Sequence, residues 1–155
     1  MTSAIGNRIE RQIFVRAPRS RVWRALTTPG EFAQWFHATL EGDFTPGSRV
    51  AFVSTYEGSS EGAHCHMIID RLEPERLFSW RWHPGMPRKD VDYAKEPMTT
   101  VIFRLEDHDD GTLVTVEESG FDAIPLSRRA GVFKDNEQGW KIQMESLSNH
   151  VGRKS

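Results

Sequence analysis

Between Thr39 and Ser119 the apolar residues of this chain recur at every second position, and after Phe121 they recur at every third or fourth. The first period is that of strands and the second that of helices, so one stretch must form a sheet and the other must lie against it. Six segments carry the strand period: Thr39–Phe44, Arg49–Tyr56, Ala63–Leu72, Arg76–His83, Met98–Leu105 and Thr112–Ser119. Breakers separate them: Pro46-Gly47, the Gly58–Gly62 turn, Glu73-Pro74-Glu75, the Pro84–Pro97 loop and the acidic Asp107–Gly111 turn. Short turns between consecutive strands predict an antiparallel meander. The helical stripe is Leu126, Ala130, Phe133, Glu137, Trp140, Met144, Leu147 and Val151. It predicts a helix of about 26 residues and roughly 39 Å.

Ahead of the meander, Arg8 to Arg16 reads as a strand and Ala17-Pro18 ends it. Ser20 to Leu26 has helical spacing, and Thr28-Pro29-Gly30-Glu31 reads as a helix start with Thr28 as N-cap and Glu31 completing a capping box. Phe32, Trp35 and Phe36 then give a short helix one apolar face. The order strand, two helices, six strands, long helix is α+β. With 155 residues and no repeat, the chain reads as one domain with an ordered core of about 8–151.

Composition narrows the function classes. The net charge of −2 opposes a nucleic-acid binder, and no apolar run approaches the roughly 18 residues of a membrane span. The N-terminus lacks a signal-peptide layout, so a cytoplasmic location is expected. A single cysteine, Cys65, excludes an internal disulfide and reads as an inert core residue. Five Trp and nine Phe stand against only two Tyr. So many apolar rings in a small domain must fill a core or line something.

Strand alternation assigns those rings to a face. Met67 and Ile69 share a side with Ala63 and Cys65, opposite His64, His66, Ile68 and Asp70. Phe78, Trp80 and Trp82 lie together, opposite Leu77, Ser79, Arg81 and His83; Val101, Phe103 and Leu105 lie together, as do Val50, Phe52, Ser54 and Tyr56. Val114, Val116 and Glu118 share the last face, which brings a carboxylate to an apolar interior. The candidate ligand wall is Trp35, Phe52, Tyr56, Met67, Phe78, Trp80, Trp82, Phe103, Glu118, Trp140 and Met144, suited to a small apolar or aromatic molecule. Buried near rings, Glu118 would have a raised pKa and would serve as an acid or donor; otherwise it reaches water or an arginine at the strand end. His64-x-His66 has alternate-residue spacing but no third ligand, so no metal is expected, and no cofactor fingerprint is present. Arg16, Arg19, Arg21 and Arg24 read as a solvated face.

Several stretches together resemble a known family. Ala17-Pro18 with Val22-Trp23 and Ala25-Leu26-Thr27, Pro29 with Trp35-Phe36, and Leu72-Glu73-Pro74-Glu75-Arg76-Leu77 leading to Trp80 follow its order. Gly111-Thr112, Ser119-Gly120-Phe121 and Gly139-Trp140 with Leu147 match its closing segment. The chain resembles the bacterial stand-alone domains named for an activator of the ninety-kilodalton heat-shock chaperone ATPase, within the START-like, birch-pollen-allergen-like (SRPBCC) superfamily. The family often carries Asp-x-Arg-x-Gly-Gly after its second strand; this chain has Asp43-Phe44-Thr45-Pro46-Gly47-Ser48 and lacks that arginine. The resemblance implies a helix-grip fold, a curved antiparallel sheet around the C-terminal helix with a cavity between them. It implies binding of lipids, polyketides or other apolar compounds. Two further readings stand beside that one: a cofactor-free cyclase or hydrolase using Glu118 with Tyr56 or a nearby histidine, and a module that acts on a chaperone or other protein partner. The Pro84–Pro97 loop is expected at the cavity mouth.

Overall fold

The computed structural model describes residues 8–54, 65–84 and 96–152. Strand β1 (Arg8–Val15) leads into helices α1 (Arg19–Thr27) and α2 (Pro29–Phe36). The meander follows as β2 (Ala38–Glu41), β3 (Arg49–Ser54), β4 (Cys65–Glu73), β5 (Leu77–Trp82), β6 (Thr99–His108) and β7 (Gly111–Ser119). A short 3-10 turn (Phe121–Ala123) precedes α3 (Leu126–Gly152). The sheet order is β1-β7-β6-β5-β4-β3-β2, antiparallel throughout. This is the predicted α+β helix-grip arrangement: a curled sheet with the long helix against its inner face. Among the described residues no helix is long and apolar enough to cross a membrane.

Each inward face follows the predicted alternation where side chains are described. Val50, Met67, Ile69, Phe78, Trp80, Trp82, Val101, Phe103, Leu105, Val114 and Val116 are all buried in one core. On β5, Leu77 and Ser79 are buried as well, although they point to the opposite side. The second strand ends at Glu41, short of the predicted Phe44. Gly42 takes a φ of 130°, which an L side chain rarely adopts, and the chain turns there. Phe44 then folds back into the core and meets Phe32 edge-on at 5.4 Å.

The expected capping box does not form. Thr28 makes no side-chain cap bond. The Glu31 carboxylate turns instead to Arg21 (2.7 Å), Arg24 (3.0 Å) and His150 (2.9 Å), joining α2 to α1 and to the last turn of α3. Burial alone would raise the Glu31 pKa, but bonds from His150, Arg21 and Arg24 outweigh it and hold the carboxyl below its usual range. Two further bonds seat α3 on the end of α2: Gln143 Nε2 donates to the Phe36 carbonyl at 3.0 Å, and Ser146 Oγ donates to that of Trp35 at 2.6 Å. The predicted arginine face is likewise neutralised from within the chain. Arg16 pairs with Asp110 at 2.7 Å and Arg19 with Asp107 at 2.8 Å, so the acidic β6–β7 turn serves the first helix.

The apolar stripe of α3 holds only over its second half. Trp140, Met144, Leu147 and Val151 are buried, whereas Leu126 is 78% exposed and Ala130 is exposed. The start of the helix is less covered than its second half. Val132 and Phe133 are only partly covered there, and Phe133 meets Phe121 edge-on at 5.1 Å.

Candidate functional site

Glu118 lies at the end of the sheet where β5 finishes and β6 begins. It stands opposite Val101 on β6 and Ile9 on β1, and Trp82 stands opposite Thr99. The inward alternation of β7 carries Glu118 under α3, where it is fully buried. It neither reaches water nor pairs with an arginine, the two alternatives its strand-end position had suggested. Its carboxylate instead accepts four hydrogen bonds from neutral donors. Oε1 takes Asn136 Nδ2 and Trp140 Nε1, both at 2.8 Å. Oε2 takes Trp82 Nε1 at 2.8 Å and Thr99 Oγ1 at 2.5 Å.

This arrangement joins three strands to the helix through one side chain. Burial pushes the Glu118 carboxyl above the ordinary carboxylate range, while the bonds from Thr99, Trp82, Trp140 and Asn136 pull it back without reversing the shift. Indole N–H groups donate only, so the two tryptophans always require an acceptor here. A carboxylate has about four lone-pair positions, and this one has all of them occupied by its own chain. That leaves no open position on Glu118 for a substrate proton in this arrangement.

Around this polar knot the predicted wall is an aromatic cluster. Trp82 and Trp140 stack at 5.9 Å and 30°. Trp80 touches Phe78 at 5.3 Å, Trp82 at 5.5 Å, Phe103 at 5.7 Å and Trp140 at 6.3 Å. Met67 and Met144 are buried with them. Trp35 is buried too, but it serves the helices: its Nε1 donates to the Ala25 carbonyl at 2.8 Å, fixing α2 on α1. The rings expected to line a space thus stand in contact with one another over the described part of the interior. Tyr56, His64, the Gly58–Gly62 turn and residues 85–95 of the Pro84–Pro97 loop lie outside the described residues, as do the side chains of Phe52, Ser54 and Cys65. No histidine is among the hydrogen-bond partners of Glu118, and among the described residues no group of His, Cys, Asp and Glu is placed to hold a metal ion.

Two members of the site were missed in the sequence. Thr99 continues the inward alternation of Val101 and Phe103 by one step, so its position was readable. Asn136 lies four residues before Trp140, on the same helical face. The stripe had placed Glu137 at that step, and Glu137 is half-buried while its neighbour Asn136 meets the carboxylate.

A curled antiparallel sheet closed by a long C-terminal helix over an aromatic core defines a helix-grip domain. Among solved structures, MLL2253 from Mesorhizobium loti superposes with a TM-score of 0.76 at 21% identity, covering 96% of this chain and 98% of that one. The Aha1 dimer from Colwellia psychrerythraea gives 0.69 at 19%, covering 95% and 98%. CalU16 from Micromonospora echinospora gives 0.64 at 24%, covering 93% of this chain and 75% of that one. At these identities the likeness is one of fold. No curated protein matches the sequence. The profile of the family described as Activator of Hsp90 ATPase homolog 1-like protein matches residues 16–152, and the chain belongs to that family.

Proposed function

We propose that the chain is a single small-ligand-binding domain, with an ordered core of about 8–151, that takes an apolar or aromatic molecule between sheet and α3. The observation carrying this reading is the apolar wall: Met67, Phe78, Trp80, Trp82 and Phe103 on the sheet and Trp140 and Met144 on α3 are buried in one core, and every one is apolar or aromatic. Family membership supports the reading, since helix-grip domains present this face to their ligands. The entry point we assign is the first half of α3, where Val132 and Phe133 are incompletely covered. A ligand there completes the burial that the helix leaves unfinished, and each Å² of apolar surface it covers contributes about 25 cal/mol.

The satisfied state of Glu118 favours binding over a cyclase or hydrolase mechanism built on that residue. General acid–base work needs a free proton position facing the substrate, and four donors from the chain already fill those positions. The arginines of the first helix, each paired to an acid of this chain, likewise lend no support to an acidic-partner surface. Native mass spectrometry after gentle purification tests the reading. A co-purifying apolar compound at one per chain is the expected result; a chain that carries none, and takes up none from a panel of lipids and aromatic compounds, contradicts it.

A further inference from the structure

The four buried tryptophans of the core treat their polar edges differently. Trp35 donates to the Ala25 carbonyl, and Trp82 and Trp140 donate to Glu118. Trp80, at the centre of the ring cluster and fully buried, has an Nε1 with no hydrogen-bond partner, the one such buried side-chain atom among the described residues. A buried donor without an acceptor carries a desolvation penalty that folded chains ordinarily avoid. Among the described residues, the rings around Trp80 offer no acceptor. Phe32, Phe78 and Phe103 have no polar atoms, and the N–H groups of Trp82 and Trp140 are donors already committed to Glu118. A lone water fits poorly as well, because buried waters need two to four polar partners and these rings supply one.

We infer that Trp80 Nε1 is the polar recognition point for the ligand, and that the ligand is a neutral apolar or aromatic molecule carrying one acceptor oxygen, of the ketone, ester or ether type. This rests on the binding reading above and narrows its ligand class. The apolar body supplies contact with the rings, and the oxygen supplies the acceptor that Trp80 lacks. A carboxylate would also accept from Trp80, but Glu118 already places an acidic group behind Trp82 and Trp140, and all four of its hydrogen-bond partners are neutral. A second buried anion beside it has no compensating cation among those partners, so the site selects against acids.

Three probes of one shape separate these terms: acetophenone, ethylbenzene and benzoate. Binding to the whole chain is followed by tryptophan fluorescence and by the indole N–H signals of the ¹⁵N-labelled protein. Acetophenone is expected to bind about 2- to 10-fold more tightly than ethylbenzene, the worth of one neutral hydrogen bond, with benzoate weakest. The Trp80 indole proton moves downfield with acetophenone and not with ethylbenzene. Trp80→Phe abolishes that preference, so that the ratio of acetophenone to ethylbenzene affinity falls to about one whatever the change in absolute affinity. If this variant does not fold, the Trp80 signal is assigned in the wild-type chain from its contacts to Phe32 and Phe103, and the shift itself decides. Equal binding of acetophenone and ethylbenzene with an unmoved Trp80 proton overturns the inference and leaves the binding reading standing. So does an upfield Trp80 proton indifferent to every probe, which would mark donation to a ring face. Absence of binding by all three probes overturns both.

Discussion

Replacing Glu118 by Gln keeps the shape of the side chain and changes only what its ends can accept. In the wild type, Oε1 serves Asn136 and Trp140, and Oε2 serves Trp82 and Thr99. Gln retains one acceptor oxygen, and its amide NH₂ must face one of these pairs. Turned toward Thr99 and Trp82, it can donate to the threonine hydroxyl, but Trp82 Nε1 loses its acceptor. Turned toward Asn136 and Trp140, it can donate to a flipped Asn136 amide, but Trp140 Nε1 loses its acceptor. One buried indole N–H is stranded either way, at about 1–3 kcal/mol. The remaining bonds lose charge assistance, and removal of a buried ionisable group offsets that loss. The expected net destabilisation is therefore about 1–3 kcal/mol, or roughly 2–10 °C in Tm for a chain of this size. The pH dependence has a definite sign. Because burial raises the folded-state pKa of Glu118 above the ordinary 4.5, the folded chain holds the proton more tightly than the unfolded chain. The stability from this group is therefore fully present below pH 4.5 and is lost as pH rises through the folded-state pKa. The gap between wild type and Glu118→Gln should be widest near pH 4.5 and should narrow toward neutrality. Urea unfolding followed by tryptophan fluorescence from pH 4 to 8 measures it. A variant as stable as wild type at pH 4.5, or a gap that widens as pH rises, refutes the reasoning.

Other positions give independent checks. Gly111→Ala places a Cβ 2.2 Å from the Val15 carbonyl oxygen and 2.9 Å from the Phe14 ring, so β1 must shift at the β6–β7 turn; the expected cost is about 1–3 kcal/mol by chemical denaturation. Glu31→Gln should remove part of the acid limb of stability, because the depressed pKa of Glu31 supplies stabilisation present above pH 4.5 and lost as pH falls through its folded value. Thermal melts of the two proteins should therefore differ by about 1–2 kcal/mol at neutral pH and converge in acid. Leu126→Ser, at the exposed start of α3, should leave stability within about 0.5 kcal/mol of wild type, as measured by the urea midpoint.

The period of the sequence carried nearly all of the fold, because alternation on a sheet with one buried face leaves little freedom of register. Trp80 and Phe103 had to point inward if Phe78 and Val101 did, and they do. Helix ends were less legible. Thr28 and Glu31 have capping-box spacing, but two arginines of α1 and His150, 119 residues away, compete for the same carboxylate and take it. The first half of α3 misled for a related reason. Leu126 and Ala130 continue the apolar stripe, yet whether a stripe is covered depends on what tertiary packing brings against it, which local spacing does not encode. Glu118 was visible as an inward carboxylate, but its partners come from β5, β6 and α3. Which donors converge on it is set by how the sheet and helix dock, so Asn136 and Thr99 emerged only once those elements were brought together.

The claim that this chain grips a small apolar molecule is tested most directly by titrating the purified protein with a neutral naphthalene-type fluorophore such as N-phenyl-1-naphthylamine. If the account is right, probe emission rises and saturates at one molecule per chain, with parallel quenching of the tryptophan emission of the Trp82–Trp140 cluster. A linear, unsaturable rise with tryptophan emission unchanged would mean that the rings only pack against one another, and the binding account would be wrong.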